Sequence, residues 1–154
     1  MSLLALDLGT DTGYAISSGG VKVSGHINFA PQKTRSFDGG GMRYLRFQRW
    51  LNEIHANTPI TEVVFEEVRA HQGVTAAHKY GGFLAVLTAW CEEHNIPYST
   101  ETVGNIKAFA TGKRGASKDA MIAAVKEKWG FTTKSDDEAD AIALLHLKLY
   151  DILN

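Results

Sequence analysis

Leu3-Leu4-Ala5-Leu6-Asp7-Leu8-Gly9-Thr10-Asp11-Thr12-Gly13-Tyr14-Ala15-Ile16-Ser17 is the stretch from which the rest of this chain can be read. The apolar run from Leu3 to Asp7 reads as a buried strand, Gly9 to Gly13 as a turn, and Tyr14 to Ser17 as a second strand. The pair Gly19-Gly20 then turns a hairpin into Val21 to Phe29, where Val21, Val23, Gly25, Ile27 and Phe29 alternate with polar residues. Three antiparallel strands are expected at the start, with an acid closing the first. An ionised carboxylate at the end of a buried strand must be paired or must bind a cation, because isolating it in apolar surroundings costs on the order of several kcal/mol.

Beyond the hairpin, the composition over 31–41 is that of a loop ending in Gly39-Gly40-Gly41. A helix follows with Met42, Leu45, Phe47, Trp50, Leu51 and Ile54 on its apolar side. Pro59 separates it from a fourth strand, Glu62 to Val68. Residues 74–94 form a helix with Val74, Ala77, Phe83, Val86, Leu87 and Trp90 on its buried face. That helix contains Gly81-Gly82, each glycine costing roughly 1 kcal/mol of helix propensity, and close packing against another helix or a second subunit would compensate; Phe83, Leu87 and Trp90 give it more apolar surface than a single-sided core contact needs, which makes it the candidate patch for such a subunit. A short strand, Tyr98 to Thr100, precedes helical segments at 102–110 and 117–128, the second capped by Ser117. A helix over 136–153 comes last, with Ala141, Leu144, Leu145, Leu149 and Ile152 inward. This order builds a mixed α/β sheet with helices on both faces.

Four acidic positions then become informative together. Asp7 closes the first strand, Glu66 and Glu67 close the fourth, and Asp137 and Asp140 open the last helix. Asp137 and Asp140 are at i and i+3, so they share one helical face with Cβ atoms about 5–6 Å apart. Strand alternation sends Glu66 and Glu67 to opposite faces, so one of the two can join the others and the other cannot. All-oxygen ligation suits Mg²⁺, with Mn²⁺ as a substitute, and a pair of such ions suits phosphodiester hydrolysis. Between Lys107 and Lys128 the cations Lys107, Lys113, Arg114, Lys118, Lys126 and Lys128 face only Asp119 and Glu127, a local basic tract fit to hold phosphates. Arg43, Arg46 and Arg49 recur every third residue on the first helix as a further candidate stripe.

Composition narrows the classes. A chain of 154 residues that is 44% hydrophobic suits one domain, 1–154, with a real core, and its net charge of −1 argues for no global attraction to nucleic acid. The single cysteine, Cys91, excludes an intramolecular disulfide framework and fits a cytoplasmic location and a packing role. The opening MSLLALDLGT has no basic n-region and reads as a strand rather than a signal peptide. No apolar run approaches the roughly 20 residues of a membrane helix. The six histidines share no metal-ligand spacing, and His146, nearly two turns after Asp140, is a weak candidate for an assisting base.

The blocks Leu4-Ala5-Leu6-Asp7-Leu8-Gly9 with Gly13-Tyr14-Ala15, Val64-Phe65-Glu66-Glu67-Val68, Ile106-Lys107-Ala108-Phe109-Ala110-Thr111-Gly112 with Ala116-Ser117-Lys118, and Asp137-Glu138-Ala139-Asp140-Ala141-Ile142-Ala143 occur in one order. In that order they resemble the RuvC-type Holliday junction resolvases, bacterial or bacteriophage, of the RNase H-like superfamily. The resemblance implies an RNase H-like mixed five-stranded sheet flanked by helices on both faces. It implies Asp7, Glu66, Asp137 and Asp140 as ligands of two Mg²⁺ ions and Lys107 and Lys118 at the scissile DNA; Lys113 and Arg114 of the basic tract, and Arg69, are read as further DNA contacts. It also implies a homodimer that makes two symmetric nicks in four-way DNA during recombination and repair. Arg69-Ala70-His71-Gln72-Gly73 stands where the family often places an aromatic residue near the branch point.

Three rival readings are set against this one. Asp7-Leu8-Gly9-Thr10-Asp11-Thr12-Gly13 is similar to the first phosphate loop of actin-like ATP-binding proteins, which need two such domains and a longer chain. A YqgF-like nuclease shares the Asp-x-Gly opening, but this chain has no block resembling its Asp-Glu-Arg motif. A catalytically silent junction-binding module would not need the carboxylates. Asp136 and Glu138 are explained as helix N-terminal acids favoured by the macrodipole.

Overall fold

The computed structural model describes residues 1–32 and 38–154. Five strands, β1 (Ser2–Asp7), β2 (Asp11–Ser18), β3 (Val21–Asn28), β4 (Glu62–Glu67) and β5 (Tyr98–Thr102), form one sheet in the order β3-β2-β1-β4-β5. The β1–β2 and β2–β3 pairs are antiparallel, whereas β1–β4 and β4–β5 are parallel. Helices α1 (Gly41–Asn57) and α2 (Val74–Glu93) precede β4 and β5, and α3 (Val103–Thr111), α4 (Lys118–Trp129) and α5 (Asp136–Leu153) complete the chain. The glycine-rich loop expected over 31–41 includes residues 33–37, which lie outside the described residues.

Alternation along the strands sorts the core into two halves. Leu3, Ala5, Ala15 and Val64 point to the face covered by α3, α4 and α5, where Ile106, Met121, Val125, Ile142 and Leu145 meet them. Leu4, Leu6, Ile16, Val63 and Phe65 point to the other face, covered by α1 and α2 through Phe47, Leu51, Phe83, Leu87 and Trp90. Gly19 and Gly20 both adopt positive φ, as a two-residue hairpin of the primed type requires. Ser117 caps α4 by accepting from the N–H of Ala120 at 3.1 Å, as the sequence predicts.

Two expectations need correction. The second strand begins at Asp11 rather than Tyr14, because the fully buried Thr12 donates its hydroxyl to the Gly9 carbonyl at 2.6 Å and so tightens the turn to residues 8–10. More consequentially, the apolar side of α2 is divided: Phe83, Leu87 and Trp90 are buried in the α1/α2 core at 0–2% exposure and are not surface for a second subunit, whereas Val74, expected on the buried face, is 69% exposed at the start of the helix. The glycine pair is split as well. A Cβ on Gly82 would run into the ring of Tyr44 on α1, whereas Gly81 faces open space, so the close approach is between two helices of the same chain. Cys91 is buried beside them, and burial pushes its thiol up to about 12, in keeping with a packing role.

Candidate active site

The site is assembled by strand parity. In β1 the residues Leu3, Ala5 and Asp7 share one face, and in β4 Val64 and Glu66 share the same face, because Leu6 lies beside Phe65 in the parallel pair. Helix α5 crosses that face at the carboxyl ends of both strands. Three carboxylate oxygens, from Asp7, Glu66 and Asp140, lie within 4.8 Å of one another. Asp137, one turn before Asp140, contacts Asp7 from the first turn of α5. Glu67 points to the opposite face and pairs with Arg69 at 3.3 Å, half exposed.

The position of α5 rests on its first turn. Ser135 caps it, accepting from the N–H of Glu138 at 3.1 Å. Glu138 itself accepts from Ser24 of β3 and from Thr133, both at 2.7 Å, which ties the helix start to the sheet edge. Gly13 of β2 lies directly under the Asp137 carbonyl, where a Cβ would overlap the helix backbone. Glu138, read from the sequence as a macrodipole acid, therefore also anchors the two aspartates on either side of it.

Electrostatics mark the cluster as one that cannot hold four negative charges unaided. Burial, then the charges of Glu66, Asp140 and Asp137, raise the Asp7 carboxyl well above its ordinary value. Burial raises Glu66 as well. Asp140 is pushed up to about 7 by burial and by the charge of Glu66, and Asp137 is raised by burial and by Asp136. Asp7, the most enclosed, lies against both Glu66 and Asp137. A donor set of closely spaced oxygens that holds protons when no cation is near fits hard divalent ions.

The basic residues divide into two groups. Lys107 of α3 is close enough to Glu66 and Asp140 for its charge to oppose part of their rise, and Lys118 at the start of α4 pairs with Asp136 at 3.5 Å and opposes part of the rise of Asp137. These two flank the carboxylates. Lys113 and Arg114 lie exposed in the α3–α4 turn, with Arg114 donating to Asn105 at 2.6 Å, and Arg69 is held by Glu67. In the α1 stripe, Arg46 is committed to Asp38 at 2.5 Å. His146 stacks on Trp129 with ring centroids 4.3 Å apart and bonds the Ile142 carbonyl at 2.9 Å, so it does not join the carboxylates. Among the described residues no helix is long and apolar enough to cross a membrane.

No model of a known protein family matches the sequence, and no curated protein sequence matches it. Solved structures do. The chain superimposes on Thermus thermophilus RuvC in complex with a Holliday junction substrate with a TM-score of 0.79 at 18% identity, covering 99% of this chain and 96% of that one. The yeast mitochondrial Holliday junction resolvase Ydc2 gives a TM-score of 0.60 at 15% identity, over 98% of this chain and 82% of that one. Fowlpox virus resolvase, solved with substrate Holliday junction DNA, gives 0.61 at 12% identity over 100% of both chains. At these identities the likeness is one of architecture, and it establishes that the chain has the RNase H-like fold of the Holliday junction resolvases.

Proposed function

We propose that the 154-residue chain is a single nuclease unit, a divalent-metal-dependent endonuclease that resolves four-way DNA junctions by paired symmetric nicks. The observation that carries this reading is the convergence of Asp7, Glu66 and Asp140, with Asp137 beside them, at the end of a sheet of the resolvase type. Asp7, Glu66, Asp137 and Asp140 would hold the metal. A bound pair of Mg²⁺ ions, or Mn²⁺ in their place, supplies Lewis-acid activation of the attacking water and stabilisation of the 3′-oxygen leaving group.

The protein's own part is to bind, aim and balance charge. Asp7 and Glu66 come from adjacent strands of one sheet and are pre-set before any ligand arrives, so little reorganisation is needed on binding. Lys107 and Lys118 grip the scissile phosphate from the two sides of the carboxylates and offset the charge that develops on it. Lys113, Arg114 and Arg69 hold the backbone farther out and contribute affinity that weakens with salt. Paired incision requires a second copy, since the described residues of one chain hold one such cluster; two copies about a two-fold axis present matching sites to a near-symmetric junction. Such an enzyme would act in the cytoplasm of a bacterium or phage-infected cell.

The test is direct. Purified protein is incubated with a labelled four-way junction and with linear duplex of the same sequence, with Mg²⁺ and with EDTA. Paired cuts leaving 5′-phosphate ends on the junction, only with Mg²⁺, are expected. Binding without cleavage under every metal condition would reduce the chain to a junction-binding module.

A further inference from the structure

Glu66 is carried at a place where the sheet comes apart. Within β4, Val63 donates its backbone N–H to the carbonyl of Pro97, just ahead of β5. Odd residues of β4 therefore turn their backbone groups toward β5, and even residues turn theirs toward β1. The β1–β4 ladder ends with Leu6 beside Phe65, because β1 finishes at Asp7 and the chain bends away into the turn closed by Thr12. The next groups on that side of β4 are the Glu66 carbonyl and the Val68 N–H. Both point to where β1 would have continued.

The phenol of Tyr80, from α2, meets both. Its hydroxyl donates to the Glu66 carbonyl oxygen at 2.9 Å and accepts from the Val68 N–H at 3.4 Å. One side-chain oxygen, acting as donor and acceptor together, thus takes the place of the backbone groups that a longer β1 would have supplied. We propose that Tyr80 is a positioning residue of the carboxylate site, whose hydroxyl fixes the last turn of β4 and thereby aims the Glu66 carboxylate at Asp7 and Asp140. The inference rests on reading that site as metal-binding, and it adds a residue that belongs neither to the acids nor to the basic tract.

Without the hydroxyl, a carbonyl and an N–H at the strand end lose their partner, and such groups then seek water or a different backbone path. Either response shifts the Glu66–Glu67 peptide, and with it the Glu66 Cα that carries the carboxylate. Groups that orient metal ligands without touching the ion characteristically change metal affinity by about 10–100-fold when removed. The packing role of the ring is separable from this, since the contact with His71, at a centroid distance of 5.2 Å, needs no hydroxyl.

Tyr80→Phe keeps the ring and deletes the oxygen. Titration calorimetry with Mn²⁺ on the DNA-free protein should show affinity lowered by about 10–100-fold, and the Mg²⁺ concentration for half-maximal junction cleavage should rise in step, with cleavage recovering at saturating Mg²⁺. Tyr98→Phe, which removes a hydroxyl bound to Glu92 at 2.7 Å, is the control and should leave both quantities unchanged. Unaltered Mn²⁺ affinity in Tyr80→Phe, or an equal loss of cleavage at every Mg²⁺ concentration, overturns the assignment. Wild-type protein that neither binds Mn²⁺ nor cuts the junction sinks the metal-site reading itself, and is told apart by needing no variant at all.

Discussion

Gly13 lies so close beneath the carbonyl of Asp137 that no side chain fits between strand β2 and helix α5. The helix that supplies Asp137 and Asp140 therefore sits at backbone contact with the sheet that supplies Asp7. Gly13→Ala must push α5 outward, an overpacking change expected to cost about 1–3 kcal/mol. A shift of about 1 Å at a catalytic constellation lowers rates on the order of 10²-fold, so cleavage should fall far more than stability. Thermal unfolding and single-turnover cleavage of the same preparation check both halves.

The two adjacent glutamates make opposite predictions. Glu66→Gln should abolish cleavage while leaving junction binding largely intact, because it removes a carboxylate from the buried cluster and keeps its volume. Glu67→Gln should be tolerated, losing only a half-exposed ion pair with Arg69 worth at most about 1 kcal/mol. Cleavage assays on the two variants with unchanged gel-shift affinity decide it, and swapped outcomes would mean that the strand parity is assigned to the wrong face.

Lys107 and Lys118 should behave as groups that act on one phosphate. Lys107→Ala and Lys118→Ala are expected to lower the single-turnover rate by about 10²–10³-fold, with junction affinity reduced much less, because affinity is spread over many contacts. Full recovery of rate at saturating enzyme would reassign them as ordinary backbone contacts.

The raised carboxyls fix the sign of a pH effect. Asp140 titrates near 7 in the folded protein against an ordinary value of 3.8, so the folded state holds more protons than the unfolded one between those limits. Its contribution to stability is fully present below about pH 4 and is lost as pH rises through about 7. In EDTA, the cluster should thus make the protein less heat-stable at pH 8 than at pH 6, and Asp140→Asn should flatten that dependence. Adding Mn²⁺ at pH 8 should raise the melting temperature of the wild type and not of Asp140→Asn. A differential scanning series at pH 5–8 measures all three.

The glycine pair of α2 offers a contrast within two residues. Gly81→Ala enters open space on a helix and should stabilise by up to about 1 kcal/mol. Gly82→Ala meets the ring of Tyr44, which is itself packed edge-on to Phe83 at 5.3 Å, and should destabilise by about 1–3 kcal/mol. Chemical denaturation midpoints of the two variants should move in opposite directions.

What could be read from the residues alone was whatever periodicity and local chemistry determine. Gly19-Gly20 announces a primed turn, Ser117 a cap, and the i, i+3 spacing of Asp137 and Asp140 a shared face. The acids could be ranked because each closes a recognisable strand or opens a recognisable helix. Relations between elements were not legible. Phe83, Leu87 and Trp90 look like a surplus on one helix, and only the placement of α2 across Leu6, Val63 and Phe65 shows them to be core. The polar run Asp11-Thr12-Gly13 looks like a turn because the bond from Thr12 to the Gly9 carbonyl has no sequence signature. The approach of Gly13 to Asp137 and the bonds of Tyr80 to the end of β4 carry no local signal, since each matters through a partner more than ten residues away.

The four clustered carboxylates come from positions 7, 66, 137 and 140, so the site is closed by contacts between the first strand and the last helix. Such long-range closures form late in folding, after the loop entropy between them has been overcome. A chain that has formed its hairpin and even the whole sheet, but has not yet docked α5, has only half of its carboxylates in place. If the cluster cuts DNA as proposed, that activity is thereby tied to completed folding, and partly folded or unravelling molecules should leave chromosomes intact.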